Sequence, residues 1–167
     1  MLEIRDLFKH YGDVVALDGA SFSVAPGRIV GFLGPNGAGK TTTMRTIFGL
    51  ARPDRGEVRW RGRPVGPGER AHFGYMPEER GLYPKMQVGE QLSYFAKLSG
   101  MNGDAAKEAT AGWLGRLGLG DRSGARLEEL SHGNQQRIQL ATALVHDPEL
   151  AVLDEPFSGL DPLGVES

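Results

Sequence analysis

The chain has 167 residues, 40% of them hydrophobic, which suffices for a substantial core in one or two domains; its formal net charge of −2 gives no electrostatic case for broad nucleic-acid binding. It has no cysteine, so disulfide and thiolate chemistry are excluded, and its four scattered histidines lack the spacing of a structural zinc site. No apolar run approaches the ~20 residues needed to cross a bilayer and no leader opens the sequence, so the composition reads as a soluble chain.

Taken in chain order, Leu2 to Leu7, Val14 to Leu17 and Ala20 to Val24 are short apolar stretches between turn signals and predict a small β layer. After Pro26-Gly27, the run Arg28-Ile29-Val30-Gly31-Phe32-Leu33 has the apolar character of a buried parallel strand. It leads into Gly34-Pro35-Asn36-Gly37-Ala38-Gly39-Lys40-Thr41-Thr42. A glycine, four residues and then Gly-Lys-Thr is the spacing of a phosphate-binding loop. Glycines let backbone N–H groups approach phosphate oxygens, Lys40 brings a positive charge to the β- and γ-phosphates, and the Thr41 hydroxyl suits Mg²⁺, which prefers hard oxygen ligands. A helix is predicted from Lys40 to Phe48 with Gly49 at its C-cap, adding the partial positive charge of a helix N-terminus.

Pro53 to Gly56 turns into a strand at Glu57 to Trp60, and Phe73 to Met76 reads as another. The arginines at 52, 55, 59, 61, 63 and 70 are interspersed with Glu57 and Glu69 and read as a solvated hairpin face. Helical periodicity then takes over. Helices are predicted at Val88 to Leu98, Ala105 to Leu117, and from the N-cap Ser131 to about Val145, before Asp147-Pro148. Leu150 to Leu153 returns to a buried strand, ending in Asp154-Glu155-Pro156. Two carboxylates at the C-terminal end of such a strand sit where open α/β sheets place ligands. Neighbouring strand residues point to opposite faces, so the two take different tasks. Asp154 is assigned to the Mg²⁺ shell and Glu155 to the attacking water.

Further stretches carry a resemblance. Leu130-Ser131-His132-Gly133-Asn134-Gln135-Gln136-Arg137 resembles the signature sequence of the ATP-binding cassette (ABC) family, and Ser158-Gly159-Leu160-Asp161 resembles its D-loop. Tyr11, in Lys9-His10-Tyr11-Gly12, matches the aromatic that stacks on adenine in that family. The stretch from Gly74 to Met86 is similar to the corresponding loop of sodium- and multidrug-exporter-like bacterial cassettes. The resemblance implies an α/β fold: a P-loop NTPase core with a mainly parallel sheet, an N-terminal antiparallel β layer and an inserted helical subdomain. The implied division is a core of 1–86 and 147–167 with a helical subdomain at 87–146.

The resemblance also implies ATP and Mg²⁺ as cofactors and a head-to-tail dimer with a second ATPase subunit, in which Ser131, Gly133 and Asn134 of one copy cap the γ-phosphate held by the other. It further implies transmembrane permease subunits, docked near Tyr83, Pro84 and Met86, and a place on the inner face of the cell membrane. Glu78 stands where many family members carry a glutamine that senses Mg²⁺ and the attacking water; it joins Glu155 and Lys40 as a catalytic candidate and Thr41 and Asp154 as a metal candidate. His132 and Asn134 replace the usual glycine and glutamine of the signature, and His132 is expected to be a solvated side chain. In the family's sheet, a later strand ending in a histidine lies between the phosphate-loop strand and the Asp154 strand. None of His10, His72, His132 and His146 occupies that place. The chain is therefore expected to lack the C-terminal part of the core, leaving two central strands without a neighbour. Two alternatives follow: a nucleotide-binding module without turnover, and a soluble ABC ATPase outside transport.

Overall fold

The computed structural model describes residues 1–158, and the D-loop candidates Gly159 to Asp161 lie outside them. The chain forms two compact units, Met1–Ala71 and the part from His72 onward.

In the first unit, β1 (Leu2–Tyr11) and β2 (Val14–Val24) form a hairpin, followed by α1 (Lys40–Ile47), β3 (Arg55–Trp60), the short β4 (Arg63–Pro64) and the single turn α2 (Pro67–Arg70). The four strands make one antiparallel sheet in the order β2-β1-β3-β4. Its buried face follows strand alternation with one correction. Leu2 and Ile4 point inward; Asp6 then takes a left-handed φ of 47°, the register shifts, and Leu7 rather than Asp6 comes inside. Leu17, Ile47 and Val58 are also buried in this unit. The predicted β layer is therefore present, as two long strands rather than several short ones.

The run at 28–33 differs from expectation. It has no regular secondary structure, and Ile29 and Leu33 are 104% and 93% exposed. A parallel strand buried on both faces needs hydrogen-bonding neighbours on its edges, and none of the described strands pairs with this run. The apolar composition is present without a partner strand. The basic cluster also departs from a purely solvated face. Arg59 pairs with Glu57, Arg55 and Arg61 lie over Phe8 and Trp60, and Arg70 Nε donates to the Ile47 carbonyl at the C-terminus of α1 at 3.0 Å.

The second unit contains β5 (Phe73–Met76), α3 (Val88–Leu98), α4 (Gly103–Arg116), α5 (His132–Leu144) and β6 (Leu150–Leu153), with 3₁₀ turns at Gly120–Arg122 and Leu127–Glu129. β5 and β6 run parallel, Phe73 opposite Leu150 through Met76 opposite Leu153. α5 approaches β5 so closely that a Cβ at Gly74 would stand 2.1 Å from the Ala143 carbonyl oxygen, which only glycine avoids. The helices share a core of Val88, Leu92, Leu114, Leu127, Leu130 and Ile138. Asn102 caps α4 by accepting the Ala105 N–H, and Ser131 caps α5 by accepting that of Asn134. Among the described residues, no helix is long and apolar enough to cross a membrane.

Candidate nucleotide site

In the first unit the phosphate-loop residues lead directly into α1. Gly39 is the N-cap, with φ 80°, and a Cβ there would lie 2.3 Å from the Ala16 carbonyl oxygen and 2.6 Å from Leu17 Cδ2. No other residue fits both the dihedral and the space. The first turn of α1 holds no acidic residue, so its free N–H groups and dipole face an anion without competition. Lys40 Nζ folds back and donates to the carbonyls of Gly34 at 2.8 Å and Pro35 at 3.0 Å. Ala38 N–H donates to the Pro35 carbonyl, tightening the turn that contains Asn36 and Gly37. Thr41 and Thr42 are half-buried at the start of α1. Tyr11 ends β1 and is 52% exposed, with Lys9 Nζ over its ring.

In the second unit Asp154 and Glu155 follow β6. Asp154 is 2% exposed; its N–H donates to the Met76 carbonyl and so extends the parallel pairing, while its Oδ2 has no hydrogen-bond partner among the described residues. A buried carboxylate oxygen without a partner is costly unless something absent satisfies it. A hard cation fits that demand. Among the described residues no group of three or more His, Cys, Asp and Glu is placed to hold a metal ion. Glu155 is exposed and has a left-handed φ of 49°, an unusual backbone for a residue with a Cβ.

The backbone around these carboxylates is held by side chains that sequence reasoning did not single out. Gln136 Nε2 donates to the carbonyls of Glu155 at 3.4 Å and Pro156 at 3.3 Å. Gln139 Nε2 donates to the carbonyls of Pro77 at 2.7 Å and Glu79 at 3.3 Å, on both sides of the exposed Glu78. The available signal was two glutamines three residues apart on the buried face of α5, where a helix otherwise places apolar groups.

At the start of α5 the Ser131 hydroxyl is occupied as its own helix cap, and Gly133 and Asn134 are half-buried. His132 is not merely solvated. Its Nδ1 lies 2.9 Å from Arg80 Nη1, which also donates to Gln135 Oε1 at 2.8 Å. Tyr83 is exposed and packs its ring against Tyr94 and Phe95, while its N–H donates to Gln91 Oε1. Pro84 is exposed, and the Met86 carbonyl accepts from Leu127. The structure thus brings Glu78, Asp154, Glu155 and the α5 N-terminus into one unit, and Tyr11 and the phosphate loop into the other.

These features have close relatives. The profile of the ABC transporter family matches residues 17–158. The chain belongs to the ABC transporter family. Members of this family bind and hydrolyse ATP. The chain is 49% identical to an uncharacterized ABC transporter ATP-binding protein of Bacillus subtilis, YhaQ, over 99% of this chain and 56% of that protein. It is 43% identical to the Nod factor export ATP-binding protein I of Burkholderia orbicola, over 96% of this chain and 54% of that protein. It therefore spans about half the length of the curated relatives it matches. Among solved structures it superposes on the ATP-binding subunit of an ABC transporter with a TM-score of 0.86 at 33% identity, covering 99% of this chain and 70% of the other. A second superposition, with CbiO1 of Clostridium perfringens, part of the CbiONQ ABC transporter complex, has a TM-score of 0.83 at 27% identity and covers 98% of this chain and 68% of the other.

Proposed function

We propose that this chain is the nucleotide-binding part of an ATP-hydrolysing subunit that powers a membrane exporter. The observation that carries the reading is the phosphate loop, where a lysine ammonium and the N–H groups of a helix start converge without an acidic side chain between them. On this reading 1–86 and 147–167 belong to the ATP-binding core and 87–146 to the helical subdomain.

Adenine stacks on Tyr11. The backbone N–H groups of residues 34–42 cradle the phosphates, and Lys40 leaves the Gly34 and Pro35 carbonyls to stand between the β- and γ-phosphates. Thr41 Oγ1 and Asp154 Oδ2, with Glu78 in addition, are the oxygens that would hold Mg²⁺, which when bound neutralises charge on the phosphate oxygens. Glu155 orients the attacking water and takes its proton as the bond from the γ-phosphorus to the bridging oxygen breaks, leaving ADP and phosphate. Ser131, Gly133 and Asn134 of one copy cap the γ-phosphate held by a second, so ATP joins two subunits and hydrolysis parts them. Tyr83, Pro84 and Met86 face the transmembrane subunits at the inner side of the membrane. The exporter reading draws on the likeness to the Nod factor export proteins.

Two variants of the full-length protein test this. Lys40→Ala should lose ATP binding, and an unchanged affinity would overturn the phosphate loop. Glu155→Gln should keep ATP binding, lower turnover by about 10²–10⁴-fold and accumulate as an ATP-bound dimer. A variant that remained monomeric with ATP would remove Glu155 from the role of base.

A further inference from the structure

Lys9 and Tyr11 lie two residues apart at the end of β1, where the pairing with β2 shifts register between Lys9 and His10. Lys9 Nζ stands 5.2 Å from the centroid of the Tyr11 ring. The same ammonium lies 3.0 Å from Asp54 Oδ1, an atom 45 residues away in sequence. Asp54 sits on the turn before β3 and touches three successive residues of β1. Its N–H donates to the Phe8 carbonyl at 2.8 Å, its Oδ1 takes Lys9, and its Oδ2 accepts the His10 N–H at 2.7 Å. Neighbouring His10 Nδ1 is 3.4 Å from Oδ2. The Phe8 bond alone would tie the turn to the strand, so the carboxylate's further contacts act on Lys9 and His10, the two residues that lead to Tyr11.

The consequence concerns the two faces of one ring. An ammonium over an aromatic face is attracted by the negative quadrupole there. Lys9 therefore covers one face of Tyr11, and its side chain is only 16% exposed, so it is packed in place rather than free in solvent. The opposite face is left for a planar partner. A cation on one side also draws electron density from the ring, which favours offset stacking of an electron-rich purine on the other.

We propose that Asp54 and Lys9 are positioning residues for nucleobase recognition: they cover one face of Tyr11 with a cation and commit the base to the opposite face. The proposal rests on the reading of Tyr11 as the adenine platform. Both residues act at the Tyr11 ring and the strand that carries it, so the effect is expected on the base.

The test measures affinity of the full-length protein for ATP and for inorganic triphosphate, with KM and kcat for ATP. Lys9→Met and Asp54→Asn should each weaken ATP about two- to fivefold. Triphosphate affinity and kcat should stay unchanged, and Lys9→Arg should behave as the native protein. In a Tyr11→Ala background, Lys9→Met should have no further effect. Equal losses for ATP and triphosphate would make Asp54 a general staple of the fold and overturn the proposal, as would no loss for either ligand. Lys40→Ala separates the two readings. It should lose both ligands, and if it does not, the phosphate loop fails while the Tyr11 comparison still stands.

Discussion

Leu150–Leu153 pairs in parallel with Phe73–Met76, whereas the equally apolar stretch at 29–33 pairs with no described strand and leaves Ile29 and Leu33 almost wholly exposed. Each run leads into a stretch proposed above to act on ATP. Their side chains are of the same kind, so hydrophobicity does not separate them. The difference lies in hydrogen-bonding partners. β6 has β5 beside it and α5 packed on the pair, and its backbone groups are satisfied on at least one edge. The run at 29–33 has no such edge among the described residues. A strand is thus a property of a pairing, and composition is only its permit. Burial is a further matter, since the expected buried strand at Leu150–Leu153 pairs with β5 yet leaves Ala151 exposed and its other residues only half-buried.

Substitutions can break or sharpen this contrast. The largest stability effect is expected at Met76, which is fully buried at the end of β5: Met76→Ala should cost about 2–5 kcal/mol, read by denaturant unfolding. Gly39→Ala should cost about 1–3 kcal/mol from backbone strain and should also abolish ATP binding, because the added Cβ meets the Ala16 carbonyl. A variant that bound ATP normally would show that the loop reshapes on binding. Ile29→Ser should change stability by no more than about 0.5 kcal/mol if the run is as open in solution as here. A loss as large as that at Met76 would instead mean that the run acquires a partner in the full-length protein, and the contrast would dissolve.

The smallest effect is electrostatic and lies in the β1–β3 link. The His10 N–H, and after it the Lys9 ammonium, hold the Asp54 carboxyl below its usual range. A lowered native value means the charged form is favoured by folding. Its contribution is present in full above the unfolded value of about pH 4 and fades only as the pH falls through the lowered native value. The melting temperatures of the native protein and Asp54→Asn should therefore differ by a constant amount from neutral pH down to about 4 and converge below it. A gap that opened only above neutrality would contradict this assignment.

What could be read from the sequence was what is local. α3 and β6 fall where periodicity and flanking turns put them, and α5 begins after Ser131 because a serine at that point satisfies an otherwise free N–H. The phosphate loop was legible because its chemistry needs a fixed spacing along a single stretch. The run at 28–33 reads as a buried strand from its composition, yet the resemblance already implies that its neighbour in the sheet is missing. Without that partner it pairs with none of the described strands. Contact across a long stretch of sequence is also why Gln139, Arg80 and Asp54 escaped notice. Their partners are 62, 52 and 44 residues away, and only the paired glutamines on the buried face of α5 leave a mark in the pattern. His132, a departure from the usual signature, is expected to be solvated, and its ring meets Arg80 only once the loop after β5 folds over α5.

The glutamines of α5 have a consequence for timing. Gln135 and His132 hold Arg80, Gln139 holds the backbone on both sides of Glu78, and Gln136 holds the backbone that carries Glu155. One helix thus holds two loops, the one after β5 and the one after β6, along a single length. Any displacement of that helix would therefore shift the backbone on both sides of Glu78 and the backbone that carries Glu155 at the same moment.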